Sequence, residues 1–242
     1  MAEILILEGV TKAYGAVTVA EDQSWSVQEG EALGVIGPNG AGKTSMFNLV
    51  TGAILADKGT IRFAGQDVTR WPAARRCRAG IARSFQVPQP FGAMTVFENC
   101  LVGAMQGARL AAAEAEQVAL DVLTRTGLLR RANSLAGGLP LLERKRLELA
   151  RALCAKPKLL LLDEIAGGLT DNEVHTLVQT IKDIRMTGVS IVWIEHVVHA
   201  LLAVVDRLMV IDFGRKIAEG EPQAIMASRA VREIYLGIEA DG

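Results

Sequence analysis

A glycine-rich segment, placed between a short apolar run and a helical pattern, constrains the fold of this chain more than any other feature. Its sequence is Gly37-Pro38-Asn39-Gly40-Ala41-Gly42-Lys43-Thr44, and the apolar run before it covers residues 32–36. This is the phosphate-binding loop, or P-loop, in its strand–loop–helix context. Glycines let backbone N–H groups curl around an anion, and the helix that begins near Lys43 directs its positive end to the same place. The segment predicts a site for the phosphates of a nucleoside triphosphate.

Residues of the P-loop have different expected roles. Lys43 brings a mobile positive charge to the β- and γ-phosphates, and Thr44 supplies a hydroxyl group for Mg²⁺. Ser45, the next residue, belongs to the same predicted nucleotide-binding set. The P-loop identifies only the class of ligand, because GTPases, kinases and ATPases all use it.

Further apolar runs lie at residues 159–162, 189–194 and 207–211, with helical patterns between them. Continuous apolar runs are typical of strands buried on both faces, as in a parallel sheet joined by crossover helices. The helical pattern at 141–155 predicts one buried stripe with a charged set outside it. The stripe is Leu142, Leu149 and Leu153, and the charged set is Glu143, Arg144, Lys145, Arg146 and Glu148.

Two smaller units accompany this core. Residues 1–30 and 59–69 alternate in polarity between glycines, which predicts an antiparallel sheet. Residues 95–135 are alanine-rich and helical. We therefore predict an α/β fold: a P-loop NTPase (RecA-like) core with a parallel sheet, an N-terminal antiparallel β-subdomain and an inserted α-helical subdomain. Within a single domain of residues 1–242, the expected parts are 1–90 and 154–220 (core and β-subdomain), about 91–153 (helical subdomain) and 221–242 (tail).

Composition narrows the class of protein. With 26 Lys and Arg against 27 Asp and Glu, the net charge is −1, whereas a nucleic-acid-binding protein normally has a basic excess. No segment has the ~18 uninterrupted apolar residues of a membrane-spanning helix, and the N-terminus lacks the basic region of a signal peptide. Cys77, Cys100 and Cys154 are spaced too widely for a disulfide framework or a zinc site. We expect a protein of the reducing cytosol that does not bind nucleic acid.

Acidic and imidazole side chains at strand ends supply further chemistry. Asp163 and Glu164 follow the run at 159–162, so Asp163 can hold Mg²⁺ while Glu164 takes a proton from the attacking water. His196 follows the run at 189–194 and can reach the γ-phosphate or the water if the two strands are neighbours. His175 and His199 have no such position, and we expect them to lie at the surface or to be satisfied structurally.

The order of motifs resembles the ATPase subunit of an ABC transporter over essentially the whole chain. The order is Tyr14, the P-loop, Ser84-Phe85-Gln86, LELARAL at 147–153, LLLLDE at 159–164 and IEH at 194–196. The resemblance implies that Tyr14 stacks on adenine and that Gln86 reaches Mg²⁺ and the water and relays to the membrane subunits. It also implies that Glu164 is the general base, that His196 is the switch histidine, and that ATP and Mg²⁺ are the cofactors.

The same resemblance implies partners and a location. Two ATPase subunits, either identical or sister chains, sandwich two ATP molecules and bind two transmembrane permease subunits, which receive solute from an external solute-binding protein. The implied location is cytoplasmic, peripheral on the inner face of the cell membrane. A non-transport ABC ATPase would usually have two such domains or a long coiled-coil insert, and a GTPase would have Asn-Lys-x-Asp; neither pattern occurs here.

Three segments are similar to the ATPases of branched-chain amino-acid importers. They are GIARSFQ at 80–86, MTVFENCLVGA at 94–104 and AVREIYLG at 230–237. Relatives in that group also import urea, amides and other small organic acids, so these solutes are alternatives to branched-chain amino acids.

The LSGGQ signature of the family is altered in this chain. Counted back from residues 149–153, it falls on Leu139-Pro140-Leu141-Leu142-Glu143, with proline in place of serine and leucines in place of both glycines. Alternatively, a four-residue insertion would move it to Leu135-Ala136-Gly137-Gly138. In the family each signature faces the partner's P-loop, so the ungapped alignment predicts one site that hydrolyses ATP and one that is slower or only binds.

The loop after the acid pair also departs from the family pattern. Ile165 stands where proline is usual, and Gly167-Gly168-Leu169-Thr170 stands where Ser-Ala-Leu-Asp is frequent. The change loosens the loop and removes an acid from a segment that, in the family, crosses to the partner subunit.

Two further segments are candidate contacts with membrane subunits. Residues 87–92, Val-Pro-Gln-Pro-Phe-Gly, form an apolar loop that could receive a short permease helix or could be a packed turn. The arginines in 70–78 could face lipid headgroups or a permease acid, but four arginines on one helix are more typical of a solvated face. They are Arg70, Arg75, Arg76 and Arg78.

Overall fold

A computed structural model of the chain describes residues 2–229 and 231. Its strands are β1 (Glu3–Tyr14), β2 (Val17–Gln28), β3 (Ala32–Ile36), β4 (Lys58–Phe63), β5 (Gln66–Asp67), β6 (Ile81–Arg83), β7 (Leu159–Asp163), β8 (Ser190–Ile194), β9 (Arg207–Asp212) and β10 (Arg215–Gly220). Its α-helices are α1 (Lys43–Thr51), α2 (Ala73–Ala79), α3 (Val96–Val102), α4 (Ala112–Arg125), α5 (Leu141–Cys154), α6 (Asp171–Arg185), α7 (Val198–Leu202) and α8 (Pro222–Ala227). None of the helices in the described part combines the length and apolar character that a membrane crossing requires.

The central sheet confirms the predicted parallel core. In the described residues its strand order is β10-β9-β3-β8-β7-β6, and all neighbours are parallel except β10, which pairs antiparallel with β9 at one edge. Every residue of β3, β7 and β8 is buried. The reason is that α1 packs on one face through Phe47 and α6 on the other through Leu177. The order places β8 between the P-loop strand β3 and the acid-pair strand β7.

The N-terminal sheet has the order β2-β1-β4-β5 and is antiparallel, as predicted. Its inward side chains, such as Leu5, Val27 and Phe63, share one apolar cluster with Leu33 and Val35 of β3. The small sheet is therefore fixed to the core beside the P-loop by a continuous hydrophobic contact.

A helical layer occupies the region between β6 and β7. It contains α3, a π-helical turn (Gly103–Gly107), α4 and α5, which enclose an apolar cluster of their own. Thr95 begins α3 with a capping box, in which its hydroxyl accepts from the Glu98 N–H and the Glu98 carboxylate accepts from the Thr95 N–H. The predicted helical content of residues 95–135 is confirmed.

The prediction that five charged residues of α5 lie outside its buried stripe is wrong for two of them. Lys145 and Glu148 are buried, whereas Leu142 and Leu153 of the predicted stripe are only half-buried. Burial is tolerated because each charge has partners: Lys145 donates to backbone carbonyls after β7, and Glu148 accepts from the Gln89 N–H and from Arg151. The helix thus packs a polar side against two loops.

The prediction that the arginines in 70–78 form a solvated face is wrong for Arg76, which is fully buried. Its guanidinium donates to the carbonyls of Leu49 and Val50 at the end of α1, and to those of Thr69 and Trp71. Burial lowers the pKa of Arg76 to about 10, against the opposing effect of the Asp67 charge. Arg76 therefore caps the C-terminus of the P-loop helix.

Replacing Arg76 by methionine should lower the free energy of unfolding by about 3–5 kcal/mol, because several buried carbonyls lose their donor. Urea unfolding followed by circular dichroism would measure the change. Arg78→Met is the matched control, since Arg78 is exposed on the same helix, and we expect an effect within about 0.5 kcal/mol. Equal effects of the two substitutions would contradict the capping role of Arg76.

Candidate nucleotide-binding site

The P-loop connects buried strand β3 to α1, which begins at Lys43 as predicted. Two of its glycines are required by close approach of neighbouring backbone. A Cβ atom on Gly37 would lie 2.1 Å from the carbonyl oxygen of Ile211, and one on Gly42, where φ is 97°, would lie 2.5 Å from that of Val19. The loop thereby bounds an open cleft of about 480 Å³ together with residues 17–19, Gln86 and Glu164.

The Lys43 side chain folds back over this loop. Its Nζ atom donates to the carbonyl oxygens of Gly37 and Pro38, at 2.8 and 2.9 Å. Burial lowers the pKa of Lys43, while the negative charges of Glu164 and Asp163 act in the opposite direction. Lys43 is therefore within electrostatic reach of both acids from β7.

Asp163 ends β7 and is almost completely buried. Its Oδ2 atom accepts a hydrogen bond from Nη2 of Arg83, whereas Oδ1 has no hydrogen-bond partner among the described residues. Burial raises the pKa of the Asp163 carboxyl, and the hydrogen bond and charge of Arg83 lower it. An orphaned carboxylate oxygen in a buried position fits a hard cation such as Mg²⁺, which prefers oxygen ligands. Thr44 is exposed at the cleft, whereas Asp163 and His196 are not among the residues that bound it.

Both carboxylate oxygens of Glu164 have side-chain partners. Oε1 lies 2.9 Å from Nε2 of His196, and Oε2 accepts from Nε2 of Gln86. Glu164 and His196 meet because β7 and β8 are adjacent parallel strands, which satisfies the condition stated above, and the carboxyl ends of the two strands share one edge of the sheet. Gln86 follows β6, which pairs with β7 on its other side. A carboxylate held at the cleft between an amide and an imidazole can accept a proton from a bound water.

Tyr14 lies at the end of β1 and is 54% exposed. It is not among the residues that bound the cleft, although Val17, its partner across the β1–β2 hairpin, is. The Lys12 ammonium lies 5.1 Å from the centre of the Tyr14 ring. Adenine stacking by Tyr14 stays a prediction. His175 and His199 are both exposed, as expected.

The altered signature segment lies at the start of α5. Leu139 and Pro140 are extended, Pro140 is the N-cap residue, and the helix begins at Leu141, which is 47% exposed. Glu143 lies in the first turn and accepts from Nε of Arg131 at 3.1 Å. The alternative Gly-Gly sequence forms a separate 3₁₀ turn (Ala136–Gly138), divided from α5 by the two extended residues.

Sequence reasoning missed three buried charged residues around the acid pair. Arg83 pairs with Asp163 and also donates to Oδ1 of Asn48 at 2.6 Å. Lys145 donates to the Ile165 carbonyl, and Glu195 accepts from the Ala166 N–H, both in the loop after Glu164. A usable signal existed only for Glu195, which directly precedes His196 at a strand end; Lys145 is hidden in a run of surface-like charges.

The P-loop follows β3, the acid pair lies at the end of β7, and the histidine follows β8, the strand between them. This arrangement defines a P-loop ATPase built on a RecA-like core. The family model described as ABC transporter matches residues 20–167, and the model described as branched-chain amino acid ATP-binding cassette transporter matches residues 215–241. The chain belongs to the ABC transporter family as an ATP-binding, ATP-hydrolysing subunit of the branched-chain amino acid type. The segment at 230–237, singled out above, lies outside the described residues except for Val231.

Similar proteins support membership of the ABC transporter family. A probable ABC transporter ATP-binding protein of Azorhizobium caulinodans is 36% identical, over 96% of this chain and 82% of its own length. The lipopolysaccharide export system ATP-binding protein LptB of Escherichia coli K12 is 34% identical, over 96% and 97%. The probable branched-chain amino acid transport ATP-binding protein LivG of Methanocaldococcus jannaschii is 32% identical, over 97% and 98%. A crystal structure of an ABC transporter cassette in its ADP conformation is 30% identical, with a TM-score of 0.88, over 98% of this chain and all of the other.

Proposed function

We propose that this subunit couples ATP hydrolysis to the import of branched-chain amino acids or a related small polar solute. The observation that carries the choice of solute is the match of residues 215–241 to the branched-chain family model. Similarity to LivG supports it. Lipopolysaccharide export is a second candidate, favoured by similarity over nearly the full length to LptB. Urea, amides and organic acids are alternatives within the importer group.

Transport by the assembled complex in reconstituted vesicles distinguishes these candidates. We expect ATP-dependent uptake of radiolabelled leucine, reduced by unlabelled isoleucine and valine. Uptake of urea, an amide or an organic acid in place of leucine would move the assignment within the importer group. ATP-dependent release of lipopolysaccharide from the vesicles, without amino-acid uptake, would contradict import.

The proposed hydrolysis begins with ATP bound along residues 37–45, with Tyr14 on the adenine ring. Lys43 exchanges its two carbonyl partners for phosphate oxygens. Glu164 takes the proton of the attacking water, while His196 and Gln86 hold its carboxylate in place. The hydrogen bonds to both oxygens of Glu164 support this assignment, because a general base must be oriented before it can act.

Asp163 supplies an unpartnered carboxylate oxygen, and Thr44 supplies a hydroxyl group at the cleft; both are oxygen ligands of the kind that Mg²⁺ prefers. In the proposal Asp163 would hold the ion through its orphaned Oδ1 atom, with the Thr44 hydroxyl and the Gln86 amide as further ligands. When bound, Mg²⁺ neutralises charge on the β- and γ-phosphates. Arg83 binds the other carboxylate oxygen of Asp163, Oδ2, and so leaves Oδ1 free for the ion.

The signature segment suggests that the two ATP sites of a dimer differ. The ungapped alignment is supported by the start of α5 at Leu141, directly after residues 139–140. Pro140 has no N–H to donate, Leu141 projects apolar atoms, and Glu143 brings negative charge to the helix end where a γ-phosphate would approach. We infer that this chain pairs with a sister ATPase whose intact signature completes the site at Lys43.

The proposed assembly places the ATPase pair against two permease subunits on the inner face of the membrane, with an external solute-binding protein. In this arrangement the helical subdomain, about residues 91–153, and the loop 87–92 face the permeases, and 221–242 is a short tail. The loop is fixed in place: Glu148 accepts from the Gln89 N–H at 3.0 Å, and Arg151 donates to the Gln89 carbonyl at 2.9 Å. Val87 and Phe91 nevertheless remain exposed, which supports a docking surface rather than a packed turn.

Replacing Phe91 by aspartate should abolish most solute uptake while leaving ATP affinity unchanged, because a charge on this apolar loop opposes burial by a permease helix. Uptake in vesicles and nucleotide titration would measure the two quantities. Met186→Asp is the control, since Met186 is 86% exposed at the end of α6, and uptake should not change. Unaltered transport by the Phe91 variant would refute this docking surface.

A further inference from the structure

The backbone directly after β7 adopts a conformation that its own residues do not favour. Glu164 has φ of 47°, in the left-handed region that non-glycine residues rarely populate. Ile165 replaces the more rigid proline, and two glycines follow at 167 and 168. Since this local sequence would leave the loop loose, interactions from elsewhere must hold Glu164 in place.

The first of these interactions comes from α5. Lys145 is 5% exposed, and its Nζ atom donates to the carbonyl oxygens of Ile165 at 3.1 Å, of Glu164 at 3.4 Å and of Gly167. An ammonium group has three donors and no acceptor, so these three carbonyls account for all of its capacity. One side chain thereby gathers three carbonyls of the loop to a single point.

The second interaction comes from the end of β8. Glu195 is 1% exposed, and its Oε2 atom accepts from the Ala166 N–H at 2.8 Å. Its Oε1 atom accepts from the N–H of His196 at 2.9 Å and from that of Val197 at 3.3 Å. Glu195 therefore ties the loop after Glu164 to the backbone of the histidine that contacts the Glu164 carboxylate.

The two buried charges belong to one electrostatic unit. Burial lowers the pKa of Lys145, and the negative charges of Glu195 and Glu164 oppose that effect. A cation that binds carbonyl groups and an anion that binds N–H groups both hold this loop. Neither side chain contacts the P-loop or bounds the nucleotide cleft.

We propose that Lys145 and Glu195 are positioning residues for hydrolysis: from α5 and from the end of β8 they hold the loop after β7 so that the Glu164 carboxylate meets His196 and Gln86. The proposal rests on the proposed function of Glu164 as the general base. Both residues act through Glu164 and His196, and neither touches the nucleotide. Their loss is therefore expected to lower kcat and to leave the binding of ATP unchanged.

The decisive experiment measures single-turnover and steady-state ATP hydrolysis by the assembled transporter carrying Lys145→Met. Methionine keeps the length and apolar stem of the lysine but leaves the three carbonyls without a donor. We expect kcat to fall at least about tenfold, with KM for ATP within about twofold of the original, because a 1 Å displacement of a catalytic group can cost more than this. Arg146→Met, at the next, half-buried position on α5, is the matched control and should leave both constants unchanged.

A double substitution separates positioning from a general structural defect. In the Glu164→Gln background the base is already absent, so Lys145→Met should reduce the single-turnover rate no further. Losses that multiply, or a rise in KM at unchanged kcat, would overturn the proposal. If Glu164→Gln alone retained full hydrolysis, the assignment of Glu164 as the general base would be wrong, whatever the effect of Lys145→Met. Should Lys145→Met not fold, Glu195→Gln replaces it as the test, since the amide keeps one acceptor oxygen but removes the charge and puts an NH₂ donor in place of the other oxygen. We expect the same loss of kcat at unchanged KM.

Discussion

Replacing Glu164 by glutamine should lower the rate of ATP hydrolysis by roughly 10²- to 10⁴-fold, because an amide cannot accept the proton of the attacking water. The substitution keeps the size of the side chain and groups that can hydrogen-bond to Gln86 and His196. We therefore expect nucleotide affinity to stay within a factor of about two, since binding depends on the P-loop and not on this carboxylate. Phosphate release and fluorescent-nucleotide titration of the same preparation would measure the two quantities.

The control for this substitution is Glu116→Gln, which removes an exposed carboxylate of α4 far along the chain from the acid pair. It should leave the hydrolysis rate unchanged. A Glu164 variant that hydrolyses ATP at the control rate would show that another group accepts the proton. A variant that no longer binds ATP would show instead that Glu164 supports the cleft rather than the chemistry.

Replacing Lys43 by alanine in this chain should reduce total hydrolysis by roughly 10- to 100-fold, the effect of losing a charge-assisted hydrogen bond of ~1.5–3 kcal/mol in the transition state. The equivalent replacement in the sister ATPase should have a much smaller effect. The reason is that, in the proposed dimer, the sister's P-loop would face the 139–143 segment of this chain, where the helix end would present Leu141 and Glu143 to the phosphate. Steady-state phosphate release by the two mutant complexes measures the difference.

Equal losses from the two lysine substitutions would disprove the asymmetry. A gain-of-function variant provides the complementary test: Pro140→Ser, Leu141→Gly and Leu142→Gly together restore a hydroxyl and the close backbone approach that the family signature supplies. In the complex in which Lys43 of this chain is replaced by alanine, the restored signature should raise hydrolysis at the site of the sister's P-loop. If the hydrolysis rate of that complex does not respond to the restored signature, residues 139–143 do not face a nucleotide.

The motifs with a local cause were predictable in detail. The P-loop is one example, because its glycines, its lysine and the start of the following helix lie within eight consecutive residues. The apolar runs at 159–162 and 189–194 are another, since strands buried on both faces must be apolar throughout. Even the meeting of Glu164 with His196 was anticipated, conditional on the two strands being neighbours, and their pairing satisfies that condition.

The buried charges could not be predicted, because their partners lie far away in the chain. From the sequence, Arg76 is one of four arginines expected at the surface. Its carbonyl partner Val50, at the end of α1, lies 26 residues earlier in the chain. Lys145 belongs to a charged run that was expected to be exposed, and its carbonyl partners lie in the loop after β7. In both cases the partners are backbone carbonyls, which every residue type possesses, so the sequence has no marker for them.

From its sequence alone, this chain could be predicted to hold a triphosphate on a glycine loop in an α/β core, because residues adjacent in the chain create that loop and its helix. Only the tertiary structure decided that Asp163 keeps one carboxylate oxygen without a partner, that Gln86 and His196 hold Glu164 from two sides, and that Lys145 is buried. The physical reason is that hydrogen bonds between strand ends and loops depend on which segments become neighbours, and burial of a charge depends on whether those neighbours offer partners.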